Sequence, residues 1–135
     1  MIKLGLDIDD TITTCQGLFS LMTEAVKQKG GQVHIVSSRT DDPKVKQITQ
    51  DELIDLGIRF DYLYLLPNSS EAMKSCPHKE LDWYEKFLWQ KVDYCKRNRI
   101  TIFFDDEQKV IDLFLRFAPE IKVFKACKGL IQREE

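Results

Sequence analysis

The sequence predicts an α/β fold, doubly wound around a mostly parallel five-stranded sheet, and two observations predict it. Short apolar runs rich in β-formers alternate with stretches of helical periodicity along the whole chain. Each strand-like run is separated from the next by a helix-like stretch, and a helical crossover brings the chain back parallel to where it started. At 135 residues the chain is read as one domain, 1–135, with a core of ordinary size and no internal repeat.

The first strand is residues 2–6, Ile2-Lys3-Leu4-Gly5-Leu6. A helix over 17–29 follows, with Leu18, Leu21, Met22, Ala25 and Val26 at the spacing of one buried face, and Gly30-Gly31 ends it. Strand two is 33–36, followed by Ser37-Ser38-Arg39-Thr40. Asp42-Pro43 supplies an N-cap and a first-turn proline for a helix with Val45, Ile48, Leu53 and Leu56 inward, stopped by Gly57. Strand three covers 60–66, a long helix 79–97, strand four 100–104, a further helix 110–117 and strand five 121–124. Only 13–16 and 68–78 lack a core pattern and read as loops.

Composition narrows the function classes. A charged share of 31% and the lack of any apolar run near the roughly 20 residues of a bilayer span argue against a membrane protein. No basic region followed by a long apolar stretch opens the chain, so a cytoplasmic location is the expectation. The net charge of −2 disfavours a whole-surface grip on nucleic acid or anionic lipid. Lys96, Arg97 and Arg99 cluster, but at a helix end, where cations suit the dipole. Cys15, Cys76, Cys95 and Cys127 are scattered without a C-x-x-C pair, so reduced thiols are expected and a structural zinc site is not.

The chemistry is concentrated where the strands end. Strand one runs into Asp7-Ile8-Asp9-Asp10-Thr11, and alternation puts Asp7 and Asp9 on one side if the extended geometry continues. Like charges that close repel and lose hydration, at a cost of roughly several kcal/mol unless a counter-charge intervenes. A divalent cation is the simplest counter-charge, and an all-oxygen site suits Mg²⁺. The plainer reading is a solvated acidic turn capping the next helix. Against it, strand four ends in Asp105-Asp106 and strand two in Ser37. In open α/β sheets ligands gather outside the carboxyl ends of the strands. The long helix adds a cation: its inward stripe is Leu81, Tyr84, Leu88, Val92 and Cys95, and Lys91 falls at the edge of that stripe. A lysine turned toward the sheet either snorkels or pairs with the acids.

These motifs, in this order, resemble the haloacid dehalogenase-like superfamily of phosphohydrolases over nearly the whole chain. Asp7-Ile8-Asp9-Asp10-Thr11 matches its first motif, Val33 to Ser37 its second, Lys91 its third and Phe103-Phe104-Asp105-Asp106 its fourth. The resemblance implies a Mg²⁺-dependent phosphatase working through an aspartyl-phosphate. Asp7 would be the nucleophile, and Asp9 the general acid and then the general base. Ser37 and Lys91 would hold the phosphoryl oxygens, with Ser38 and Arg39 beside them as further substrate-binding candidates. The metal would sit on the Asp7 carboxylate, the Asp9 backbone carbonyl and the fourth motif, Asp106 directly and Asp105 directly or through water. Asp10 and Thr11 would orient the loop. Arg39 has two open readings: a contact to a second substrate phosphate, or an ion pair with Asp41.

Larger members of that superfamily insert a cap domain, and here there is little room for one, so a capless type is expected. An open site is expected to draw specificity from a large phosphorylated substrate or from neighbouring subunits of a homo-oligomer. The loop 68–78, with Lys74 and His78, is the local candidate for touching substrate. Sugar phosphates, nucleoside monophosphates and polynucleotide ends all present the same group, and nucleic acid enters only as such an end. Two alternatives stand beside this reading. One is a catalytically silent binding module on the same fold. The other is a receiver-type phosphoacceptor domain, disfavoured because strand three ends in Leu65-Leu66-Pro67-Asn68 without an acid.

Overall fold

The computed structural model describes residues 1–127. Five strands, β1 (Lys3–Leu6), β2 (Gln32–Ser37), β3 (Tyr62–Leu65), β4 (Ile102–Asp105) and β5 (Lys122–Lys125), form one sheet in the order β3-β2-β1-β4-β5. Every pair is parallel, so the sheet is fully parallel where the sequence suggested mostly parallel. Helices α1 (Gln16–Gln28) and α2 (Pro43–Asp55) make the first two crossovers. The short helix α3 (Ser70–Lys74) and α4 (Trp83–Arg97) make the third, and α5 (Gln108–Phe117) makes the fourth. The chain moves outward from β1 through β2 to β3, then returns to the other side of β1 for β4 and β5. That reversal puts the switch point between β1 and β4, which is where such sheets bind ligands.

Each face of the sheet has its own core. Leu4, Leu6, Val33, Ile35 and Leu63 meet Phe19 and Val26 of α1 and Leu53 of α2. On the other face Val36 and Phe103 pack with Leu88, Val92 and Cys95 of α4 and with Val110 and Phe114 of α5. Gly5 is the one β1 residue that must be small: a Cβ there would meet the Phe103 ring at 2.6 Å.

Helix boundaries follow their caps. Asp42 accepts from the Lys44 and Val45 N–H groups at 2.8 and 3.3 Å, and Pro43 opens α2. Asp82 and Glu85 form a reciprocal capping box that starts α4. Gly30, at φ +79°, closes α1 in the left-handed region that glycine adopts without strain.

Several expectations need correcting. The long helix begins at Trp83 rather than at residue 79, and β3 is shorter than 60–66. The segment 68–78 is not simply a loop, because Ser69 caps α3 and Met73 and Cys76 are buried. A single 3₁₀ turn (Ile12–Thr14) occupies the stretch before α1. Helix α1 presents Phe19, Thr23 and Val26 to the core, while Leu18 and Leu21 face solvent. In α2, Ile48 is exposed and Thr49 buried instead. Nothing resembling a cap is inserted among the described residues, the four cysteines are unpaired, and no described helix is long and apolar enough to cross a membrane.

Candidate functional site

Register builds the site. Leu6 of β1 lies opposite Phe104 of β4, so the next residues out, Asp7 and Asp105, emerge side by side. The Asp7 N–H donates to the Phe104 carbonyl at 3.0 Å, which extends the ladder to the last residue before the chain turns. That turn is tight: the Thr11 N–H donates to the Ile8 carbonyl, and Asp10 sits at φ +60° with its N–H on the Thr13 hydroxyl at 2.9 Å. Asp, like Asn, tolerates this left-handed conformation better than most residues.

Lys91 reaches the same place from α4. Its side chain is 2% exposed and its Nζ donates to Asp7 Oδ1 at 3.1 Å and to Asp105 Oδ2 at 2.6 Å. The lysine is therefore paired, not snorkelling. Tyr84, placed inward by its spacing, instead lies at the surface, where its hydroxyl donates to Glu107 at 2.7–2.8 Å. Asp105 uses its second oxygen to accept the Glu107 N–H at 3.0 Å. The Thr11 hydroxyl lies 3.3 Å from Asp7 Oδ2 and 3.4 Å from Asp106 Oδ1, bridging the two strand ends.

Electrostatics follow from two buried carboxylates sharing one ammonium. Burial pushes Asp7 up from 3.8 to about 6, against the pull of Lys91, and the neighbouring Asp106 adds to the rise. Asp105 is raised as well, chiefly by burial. Burial alone would discharge Lys91, but Asp7 and Asp105 outweigh it and hold the amine cationic. Carboxylate oxygens of Asp7, Asp105 and Asp106 lie within 4.8 Å of one another. With Lys91 counted, these groups carry two excess negative charges on hard oxygen donors. That donor set and charge fit a divalent cation of the Mg²⁺ type.

Asp9 is turned elsewhere. Its carboxylate is gripped by both arms of Arg39, Nε to Oδ2 at 3.0 Å and Nη2 to Oδ1 at 2.9 Å. The Arg39 hydrogen bonds hold Asp9 below the usual carboxylate range despite partial burial. The Arg39 ion pair expected with Asp41 is not formed. The partners of Arg39 are Asp9 and Glu52, with Nη2 donating to both Glu52 oxygens at 2.9 and 3.0 Å, and Nη1 donating to Thr49 at 3.1 Å. Ser37 is buried beneath this layer, where its Oγ accepts the Arg39 N–H at 3.1 Å.

An open cleft at the strand ends is lined by Asp7, Asp9, Asp10, Ser38, Arg39, Lys91, Asp105, Asp106 and Glu107. The structure thus brings together all the acids, Lys91, Ser38 and Arg39, with Ser37 just below. Lys74 and His78 are not among these lining residues. The His78 ring stacks on Phe117 with centroids 3.9 Å apart and meets Trp89 edge-on. Sequence reasoning missed Thr49, Glu52 and Glu107. Only Glu107 carried a signal, its position directly after Asp105-Asp106.

No family model matches this chain, and no curated protein matches it. Solved structures do match its shape. A chain of the Pnkp1/Rnl/Hen1 complex superposes with a TM-score of 0.63 at 16% identity, over 97% of this chain and 48% of the other. A chain of the Pnkp1/Rnl/Hen1 RNA repair complex gives 0.64 at 15% identity, over 97% of this chain and 44% of the other. This chain therefore spans less than half the length of either neighbour, and the likeness is one of fold.

Proposed function

We propose that this protein is a Mg²⁺-dependent phosphatase that hydrolyses a phosphomonoester through an aspartyl-phosphate on Asp7. The observation that carries the reading is the buried Asp7–Lys91–Asp105 ion-pair chain at the switch point, with Asp106 beside it. A fold gains little from two carboxylates competing for one buried ammonium. A reaction at phosphorus does gain, because it needs an anionic nucleophile next to fixed positive charge.

Asp7 attacks phosphorus in line and the bond to the leaving oxygen breaks with its electron pair; Asp9, which must first leave Arg39 and take up a proton in the substrate complex, delivers that proton to the leaving oxygen. Water then attacks the aspartyl-phosphate while Asp9 takes its proton, and inorganic phosphate leaves with Asp7 restored. Lys91 keeps Asp7 oriented and balances charge on the transferred group, and the Ser38 and Ser37 end of β2 supplies hydroxyls to the phosphoryl oxygens. Asp7, Asp105, Asp106 and the Asp9 carbonyl would hold Mg²⁺, which when bound screens the dianionic phosphate and aligns it.

The open cleft suits a phosphate on a large molecule as well as on a small one. The shared fold with chains of RNA repair complexes is the reason to include RNA ends among candidate substrates. The test is a screen of p-nitrophenyl phosphate, sugar phosphates, nucleoside monophosphates and phosphate-ended oligonucleotides, with and without Mg²⁺. Metal-dependent phosphate release that vanishes in Asp7→Asn is expected. A screen without turnover, or full activity in Asp7→Asn, refutes the assignment; magnesium binding without turnover would leave a binding module.

A further inference from the structure

The basic residues that close α4 are not all used by the helix they close. Lys96 donates to the Phe117 carbonyl at 3.0 Å and Arg97 pairs with Asp93 at 3.0 Å, so both have partners within the fold. Arg99 differs: its side chain is exposed and makes no hydrogen bond or ion pair among the described residues. Its backbone is unusual too. Helices α1 and α2 end on Gly30 and Gly57, at φ +79° and +75°, and the N–H after each glycine reaches back to the Val26 or Leu53 carbonyl. The same closing bond runs from the Ile100 N–H to the Cys95 carbonyl at 2.9 Å, yet here Arg99 holds the left-handed position, at φ +55°. Glycine would make that turn without crowding, so the helix end by itself gives no reason for an arginine.

Arg99 opens into a cavity of about 420 Å³ that it shares with Lys3, Arg97, His34 and Tyr62, and no acid lines it. That volume is within the range of small-molecule sites. Asp93 is engaged by Arg97; Asp61, beside Tyr62 in the chain, is engaged by Lys27 at 2.6 Å and by the Val33 N–H at 2.8 Å. The Lys3 amine keeps a long contact, 3.4 Å, to the Asn98 carbonyl. Three cationic side chains thus line one cavity in a chain whose net charge is −2. The cavity also has a flat wall. His34 is buried, with Nδ1 2.7 Å from the Tyr94 hydroxyl and Nε2 3.1 Å from Gln32 Oε1, and Tyr62 stacks on its ring at 4.6 Å. Tyr62 is 50% exposed with one ring face on this fixed imidazole, which leaves the other face open.

An open aromatic face beside two guanidiniums and an ammonium is a combination that holds a base and its phosphate together. We infer that this cavity binds a nucleoside phosphate unit, with the base against Tyr62 and the phosphate on Lys3, Arg97 and Arg99. Lys3 opens β1 and Asp7 follows its end, so this site lies at the opposite edge of the sheet from the acidic cleft and does not depend on the phosphatase reading. Such a unit comes either as a free nucleotide or within an RNA strand.

Calorimetry on the full chain carrying Asp7→Asn, in EDTA at low ionic strength, tests this without turnover. The ligands are the common ribonucleoside 5′-monophosphates, ribose 5-phosphate and an octameric oligoribonucleotide. At least one monophosphate is expected to bind about fivefold or more tightly than ribose 5-phosphate, the lower end of what a base–aromatic stack contributes. Tyr62→Leu should erase that difference and leave ribose 5-phosphate binding as it was. Arg99→Asn, a residue that suits φ +55°, should weaken every phosphate ligand about tenfold. Mononucleotide binding with these two losses assigns the site to free nucleotides; binding of the octamer alone, with both losses, assigns it to a strand. A phosphate ligand held equally well with and without its base, affinity unchanged in either variant, or no binding by any ligand overturns the inference. The phosphatase reading is judged separately, by turnover of the wild type.

Discussion

Replacing Asp7 by Asn should stabilise the metal-free protein, and the size of the gain follows from its surroundings. Asp7 is 6% exposed and its carboxyl is raised from 3.8 to about 6, first by burial and further by Asp106. A shift of about 2 pKa units corresponds to roughly 3 kcal/mol between the charged and neutral forms. The folded state holds this proton more tightly than the unfolded chain. The associated stability is present below about pH 4, is lost as pH rises through 6, and is absent above that. Asn has the shape of the neutral acid and never carries the deficit. Lys91 keeps Asp105 as a partner at 2.6 Å in the variant, so no buried ammonium is orphaned. In EDTA at pH 7.5, urea unfolding followed by fluorescence of Trp83 and Trp89 should place Asp7→Asn about 2–3 kcal/mol above the wild type, closing toward zero near pH 4. Magnesium should then raise the wild type and not the variant, by roughly 2.7 kcal/mol at a hundredfold excess over its Kd. A variant no more stable than wild type at pH 7.5, or a gap that does not close in acid, would refute the reasoning.

Two further changes test the frame around this site. Lys91→Met leaves Asp7 and Asp105 buried without their counter-charge; a loss of roughly 3–5 kcal/mol in urea unfolding at neutral pH is expected, smaller in acid where both carboxylates take up protons. Gly5→Ala drives a methyl into the Phe103 ring at 2.6 Å and should cost roughly 1–3 kcal/mol, read as a lower Tm, with Phe103→Leu in the same chain recovering part of it.

The site was legible in sequence to the extent that its chemistry is local. Asp7-Ile8-Asp9-Asp10 and Asp105-Asp106 stand at strand ends, and a parallel sheet brings such ends to one edge whatever its strand order. Lys91 was readable because a charge near an apolar helical stripe is unusual. What escaped depends on tertiary placement. Glu52 meets Arg39 only because α2 lies where it does, and nothing in the intervening chain signals that. The faces of α1 and α2 were misread because apolarity was taken as the sign of burial. Thr23 is fully buried with its hydroxyl donating to the Ser20 carbonyl and accepting the Arg59 N–H, and Thr49 is buried against Arg39. A hydroxyl with partners can displace a leucine from the inner side. Tyr84 shows the converse: its hydroxyl is drawn outward to Glu107, and the ring goes with it.

The pairing of Leu6 with Phe104 has a consequence for how this protein can vary. A slide of β4 by a single position would swing Asp105 to the opposite surface of the sheet and leave the Lys91 amine with Asp7 as its one carboxylate partner. Single-residue insertions or deletions within either central strand therefore strike the Asp7–Lys91–Asp105 cluster as hard as a point change at Asp7 itself. Length changes can accumulate only where the chain has left the sheet.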